Sequence, residues 1–254
     1  MPLYDAHIHL TDKEYSDYVG GIITALRSMN IVVCSVTVDI DTTLRSFSLF
    51  NQHRDVVKQF VGIHPEAAKE DIPRFKEIFR DNLRYIDGVG EIGLDGTYAE
   101  KGIVSLSRQR EVFEAMLELA ESAGRPVSIH SRKSLDDILK ILPSYRLSGT
   151  LLHWFAGSKK QLAQSADMGL YVSYGPVLVY SEEKKVLLKN TPKERLLVET
   201  DGPVRYAKCF ENLPAMSSSF LVSVVSAASS VLDLPYDETC ALIEANTSAY
   251  LSVG

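Results

Sequence analysis

Short runs of β-branched and apolar residues alternate with amphipathic stretches from one end of this chain to the other, the pattern of repeated strand–helix units around a parallel sheet. Eight runs read as strands: Leu3 to His9, Ile31 to Val38, Val56 to Ile63, Ile86 to Ile92, Pro126 to His130, Thr150 to His153, Leu170 to Ser173 and Leu196 to Glu199. Helical periodicity is clearest from Ser107 to Ser122, where Val112, Phe113, Met116, Leu117 and Ala120 share one face and Gly124 supplies a stop. A second helix runs from about Ile22 to Met29. Two more, Ser217 to Val231 and Asp237 to Leu251, are expected to close an outer ring; the latter follows Pro235 and carries acidic residues in its first turn. No Gly/Ser/Pro-rich linker, low-complexity tract or repeat divides the chain, so residues 1–254 are expected to form a single domain. The fold class expected is α/β, a TIM-type (β/α)8 barrel with an extra C-terminal helix. A doubly wound open sheet is the alternative, but no GxGxxG follows the first strand and no P-loop is present.

Composition narrows the setting. With 45% apolar and 24% charged residues the chain can bury a full core and has no disordered signature. Cys34, Cys209 and Cys240 are scattered and form no CxxC, which argues against a disulfide framework and against a thiolate metal cluster. The sequence holds neither a basic segment followed by a cleavable apolar core nor a run of about 18 apolar residues, so a cytoplasmic location and no membrane association are expected. A formal charge of -6 offers no global attraction to nucleic acid; an anionic substrate would have to be drawn by a local site.

The candidate chemistry lies at the strand ends. His7 and His9 alternate on a strand, which puts both on one face roughly 6–7 Å apart, close enough to grip one metal ion. His64 follows the third run, Glu91 closes the fourth, His130 the fifth and His153 the sixth, and Asp201 follows the eighth. Of the six histidines only His53 falls elsewhere. In a barrel these C-terminal strand ends form the active-site face. Each residue alone is more often a hydrogen-bonded strand end or a helix cap than a ligand; the coincidence of position is what points to a metal site.

Read together, Asp5-x-His7-x-His9, Gly62-x-His64-Pro65, Gly90-Glu91-Ile92-Gly93-Leu94-Asp95, His130-Ser131-Arg132, His153-x-Phe155-x-Gly157 and Glu199-Thr200-Asp201 resemble, over nearly the whole chain, the TatD-type metal-dependent hydrolases of the amidohydrolase-like group. The resemblance implies a two-metal phosphodiester hydrolase, a deoxyribonuclease with 3′-exonuclease character that uses a metal-activated water. It implies that His7, His9, Glu91 and Asp201 hold one ion and that Glu91, His130 and His153 hold the other, with Glu91 bridging. Two divalent ions against two carboxylates would leave net positive charge to receive a phosphate, supplying the attraction the acidic chain lacks. Mixed nitrogen and oxygen donors suit Zn, Mn, Co or Ni, and Mg less well. Asp201, beside that water, is the expected general base.

Weaker expectations surround this set. His64 is expected to touch substrate phosphate, its alternative being a loop-anchoring hydrogen bond. Arg132 could clamp a phosphate oxygen through its planar fork, or pair with Asp95 or Glu199. Asp5 would orient a histidine ligand from below. Trp154 and Phe155 could stack on a base or pack in the core, and Tyr98 and Tyr174 are candidates for the pocket wall. Two departures from the resemblance matter: Gly96, where a Tyr is usual, and a loop after Asp201 that keeps only Arg205 and Lys208 as basic residues. That dilution leaves the metal chemistry intact and puts polymeric DNA in doubt, so a smaller phosphodiester or nucleotide enters as a substrate. The rivals are a binuclear hydrolase of an amide, lactone or phosphotriester and a non-catalytic scaffold on the same barrel.

Overall fold

The structure, a computed structural model, describes residues 2–208 and 210–252, so Cys209 lies outside the described residues. Eight strands, β1 (Leu3–Ile8), β2 (Ile31–Val36), β3 (Val57–Val61), β4 (Gly88–Gly93), β5 (Val127–His130), β6 (Thr150–Leu152), β7 (Tyr171–Tyr174) and β8 (Leu196–Val198), form one sheet in sequence order. Every neighbouring pair is parallel. Each strand overlies one of the eight expected runs, with ends moved by at most two residues. The sheet curls into a nearly closed barrel whose seam is joined just beyond β8: Asp201 N donates to His7 O at 2.9 Å and His9 N to Gly202 O at 2.8 Å.

Among the described residues ten α-helices accompany the strands: α1 (Val19–Ser28), α2 (Ile40–Phe50), α3 (Ile72–Asp81), α4 (Gly96–Glu100), α5 (Leu106–Ala123), α6 (Leu135–Ile141), α7 (Lys159–Asp167), α8 (Glu182–Lys189), α9 (Ser217–Leu232) and α10 (Tyr236–Leu251). Local sequence fixes their starts and stops. Asp39 opens α2 by accepting from Thr42 N at 2.7 Å while Thr42 Oγ1 takes the Asp39 N–H, and Ser158 with Gln161 repeats this capping box on α7. Ser105 caps α5, and Gly124, at φ 60°, ends it as expected because only glycine takes that left-handed turn freely.

Strand residues such as Val33, Val57, Val89, Ile129, Val172 and Val198 pack outward against Phe47, Phe75, Phe113, Leu139 and Leu188 of the helices. A smaller apolar cluster, Ala6, Cys34, Val36, Phe60, Leu151, Tyr171, Leu197 and Tyr250, fills the other side of the sheet near the strand starts. Gly88 permits this packing, since a Cβ there would collide with the Phe60 ring. Here one expectation is corrected. α9 does join the outer ring, beside α8 and α1, but α10 does not. Tyr250 of α10 donates to Val127 O at 3.0 Å and lies against Phe60 and Tyr171, with ring centroids 6.0 and 5.6 Å away. Asn246 donates to Leu196 O at 2.8 Å. Both acceptors are first residues of strands, so α10 crosses the N-terminal end of the barrel and plugs it. Cys34 and Cys240 are free and buried. Among the described residues no single helix is long and apolar enough to cross a membrane.

Candidate metal centre

The strand ends converge at the opposite mouth, on a cleft of about 1540 Å³ lined among others by His9, His64, Glu91, His130, Arg132, His153, Trp154 and Asp201. Glu91 is its hub. Carboxylate oxygen Oε2 lies 3.5 Å from His7 Nε2 and 3.3 Å from His9 Nε2. The other oxygen, Oε1, lies 2.9 Å from His130 Nδ1, 2.8 Å from His153 Nε2 and 3.5 Å from His64 Nε2. Asp201 Oδ1 completes the first group at 3.3 Å from His9 Nε2 and 3.6 Å from His7 Nε2. All six residues expected as metal ligands are therefore brought together, and His64 stands beside them. His53 does not belong: it pairs with Arg27, which is bound to Asp55 on the surface.

The strands are shaped to make this possible. The register of β1 against β2 slips between Asp5 and Ile8, the stretch that carries His7. In β4, Gly93 sits at φ 144°, and a Cβ there would collide with the His130 carbonyl, so glycine lets the ends of β4 and β5 touch where Glu91 meets His130. Asp201 and Trp154 occupy the left-handed region at φ 50° and 43°, an unfavourable setting for residues with a Cβ that is typical of functional positions.

The electrostatics describe a cluster short of positive charge. Burial alone would raise the Glu91 carboxyl, but the imidazoles of His64 and His153 and hydrogen bonds from His130 and His153 hold it well below the usual carboxylate range. Burial alone would lower His153, yet Glu91 and Glu199 push it well above an ordinary histidine, and Asp201 and Glu91 raise His9 in the same way. His64 goes the other way, burial carrying it down to about 4. Nε2 atoms of His7 and His9 face each other at 3.4 Å, and two ring lone pairs at that distance repel unless a proton or a cation lies between them. Imidazole and carboxylate atoms within 4.8 Å of one another recur in three sets: His7, His9 and Asp201; His7, His153 and Glu199; His64, Glu91 and His130. This mixed nitrogen and oxygen chemistry fits divalent transition metals.

Behind the cluster stand residues that sequence reasoning had not assigned to it. Asp95 Oδ2 lies 2.8 Å from His130 Nε2, and that contact overcomes burial to hold Asp95 down at about 2. His7 Nδ1 meets Ser128 Oγ at 2.8 Å, and His153 Nδ1 faces Glu199 Oε1 at 3.8 Å. Asp95 and Glu199 already stood in the quoted motifs; their partners were illegible without the fold. Asp5 does not orient an imidazole, which corrects its expected role. Its carboxylate accepts from Thr200 N at 2.9 Å, Thr200 Oγ1 at 2.5 Å and Ser217 Oγ at 2.7 Å, tying β1 to the segment that carries Asp201.

The remaining expectations divide. Arg132 is exposed at the cleft and pairs with neither Asp95 nor Glu199. His64 Nδ1 accepts from Glu66 N at 3.3 Å, so it anchors its loop while Nε2 faces the cluster. Phe155 is buried in the core. Tyr174 is not on the pocket wall: it is buried, with its hydroxyl on Thr191 Oγ1 at 2.8 Å. Tyr98 backs His64 edge-on and donates to Glu66 Oε2 at 3.1 Å. Of the two basic residues left in the loop after Asp201, Arg205 is taken by Glu14 and by Asn212 O, and Lys208 sits over the Tyr180 ring.

An eight-stranded parallel barrel whose C-terminal mouth gathers imidazoles around a shared carboxylate defines a barrel hydrolase of the metal-dependent class. The family described as TatD related DNase matches residues 4–252, and the chain belongs to that family of metal-dependent hydrolases. An uncharacterized metal-dependent hydrolase, YabD of Bacillus subtilis (strain 168), is 28% identical over 210 residues, covering 79% of this chain and 80% of the relative. The 3'-5' ssDNA/RNA exonuclease TatD of Edwardsiella piscicida is 28% identical over 211 residues, 79% of each chain. The crystal structure of YJJV, a TatD homolog from Escherichia coli K12, superimposes with a TM-score of 0.87 at 21% identity over 98% of this chain and 97% of that one, which establishes the barrel.

Proposed function

We propose that the chain is one barrel domain that hydrolyses phosphodiester bonds with two divalent ions, as a TatD-type deoxyribonuclease or a phosphodiesterase of short nucleotides. The observation that carries this reading is the division of Glu91: Oε2 faces His7 and His9, Oε1 faces His130 and His153. His7, His9, Glu91 and Asp201 would hold one ion, and Glu91, His130 and His153 the other. Bound there, the ions would supply Lewis-acid stabilisation of the phosphate and a water of lowered pKa.

The chain's own groups divide the remaining work. Asp201, at the rim of the cluster, takes the proton of the attacking water. His64 accepts a backbone N–H at Nδ1, so its neutral ring carries the proton on Nε2 and offers a donor to a phosphate oxygen. Arg132 brings to the cleft a guanidinium with no partner among the described residues, suited to a second anionic oxygen. Engagement of Arg205 and Lys208 elsewhere favours a strand end or a short substrate over a long duplex.

Metal analysis of purified protein should find up to two ions per chain. End-labelled single- and double-stranded DNA, RNA and small phosphodiesters, digested over time with Zn, Mn, Co, Ni and Mg in turn, should show phosphodiester cleavage. Turnover of lactones, amides or phosphotriesters with every phosphodiester left intact would overturn the proposal.

A further inference from the structure

Trp154 is the large apolar surface of the cleft, and it directly follows the candidate ligand His153. Its left-handed backbone is held by two acceptors, since its N–H lies 2.8 Å from Glu199 Oε1 and 3.2 Å from Ser173 Oγ. That same Glu199 oxygen lies 3.8 Å from His153 Nδ1, so the carboxylate that holds the Trp154 backbone also stands beside the imidazole. Tyr206 packs along the indole with ring centroids 5.6 Å apart and planes 25° from parallel. Tyr206 is itself fixed: its hydroxyl donates to Thr200 O at 2.8 Å and Phe220 packs behind it. Trp154 nevertheless remains half-buried, and its indole Nε1 has no hydrogen-bond partner among the described residues.

An aromatic ring backed by a rigid wall and open to a cleft that ends in charged groups has the build of a stacking platform. Trp154 packs against the small apolar cluster of Tyr206, Ala215 and Phe220, yet stays partly exposed on the wall of the site in an unfavourable backbone conformation. We infer that Trp154 stacks the base of the nucleotide adjoining the phosphate that is cleaved, and so sets specificity for a nucleoside over a plain alkyl group at that position. The inference rests on the phosphodiesterase reading above and deepens it.

Trp154 is the only tryptophan of the chain, so its fluorescence reports on the platform without any turnover. In the metal-loaded protein, 2′-deoxyadenosine 5′-monophosphate should quench the emission to saturation, whereas 2-deoxyribose 5-phosphate at equal concentration should not. Equal quenching by both, or by neither, overturns the platform. Kinetics give a second readout, comparing the 4-nitrophenyl ester of thymidine 5′-monophosphate with methyl 4-nitrophenyl phosphate. Trp154→Ala should lower the ratio of their kcat/KM values on the order of tenfold, and Trp154→Phe should keep most of it. A parallel fall for both esters would mean a packing role and overturn the inference. Base-dependent quenching with neither ester hydrolysed would keep the platform and remove the phosphodiesterase reading.

Discussion

The two ends of the barrel are built from the same eight strands and stabilised by opposite means. At the N-terminal end Phe60, Leu151, Tyr171 and Leu197 meet Tyr250 from α10 in an apolar plug. At the C-terminal end five imidazoles surround one buried carboxylate. The plug is complete in itself, because burying apolar surface needs no partner beyond the chain. The mouth instead gathers imidazole nitrogens and carboxylate oxygens in groups that could hold a metal ion. Stability and chemistry are thereby separated by the length of a strand, and each end can be tested without touching the other.

Glu91→Gln is expected to have the largest effect. It removes the charge both ligand groups share, so metal content should collapse and turnover should fall by about 1000-fold or more, with the far-ultraviolet circular dichroism retained. Metal retention at the wild-type level would break the comparison at its upper end. Tyr250→Ala comes next, at the plug. Losing a buried aromatic there should cost about 3–5 kcal/mol in denaturant unfolding, while the folded fraction keeps its metal. A variant that lost metal but not stability would show the two ends to be coupled.

Asp95→Asn sharpens the picture of the mouth. The carboxylate behind His130 is expected to matter through orientation, so metal affinity or turnover should drop about 10- to 100-fold, read by isothermal titration and by rate. Asp5 tests the seam between the ends. Burial pushes its carboxyl up to about 7 against hydrogen bonds from Thr200, Ser217 and His7, compared with 3.8 when free. Between those values the folded chain binds a proton that the unfolded chain has released. Stability of the metal-free protein should therefore fall as pH rises from about 4 through about 7, with this group contributing a slope of up to about 1.4 kcal/mol per pH unit. Asp5→Asn should flatten that slope, and an unchanged profile would remove Asp5 from the account.

The barrel was legible in the sequence because its strands are short apolar runs, six of the eight with a histidine or carboxylate at or just beyond the end, and those ends marked the mouth directly. Gly124 likewise gave its helix stop away, since a left-handed turn demands that residue type. Other features depend on contacts that linear order does not carry. Asp95 and Glu199 stood in view inside their motifs, but that one backs His130 and the other holds Trp154 follows only from neighbouring strands being brought together. Nothing in the periodicity of α10 distinguishes a helix lying along the barrel from one lying across its end. Arg205 reads as a free cation until Glu14, 191 residues away in the chain, is seen to claim it.

The seam has a consequence for synthesis. Barrel closure and the meeting of His7 and His9 with Asp201 are made by the same two backbone hydrogen bonds, between residues nearly 200 positions apart. A growing chain can offer His130 and His153 to Glu91 while its last strand is still unmade. It cannot present the His7, His9 and Asp201 set until β8 has left the ribosome and docked beside β1, so under the two-ion proposal full metal competence would arrive only with the completed ring.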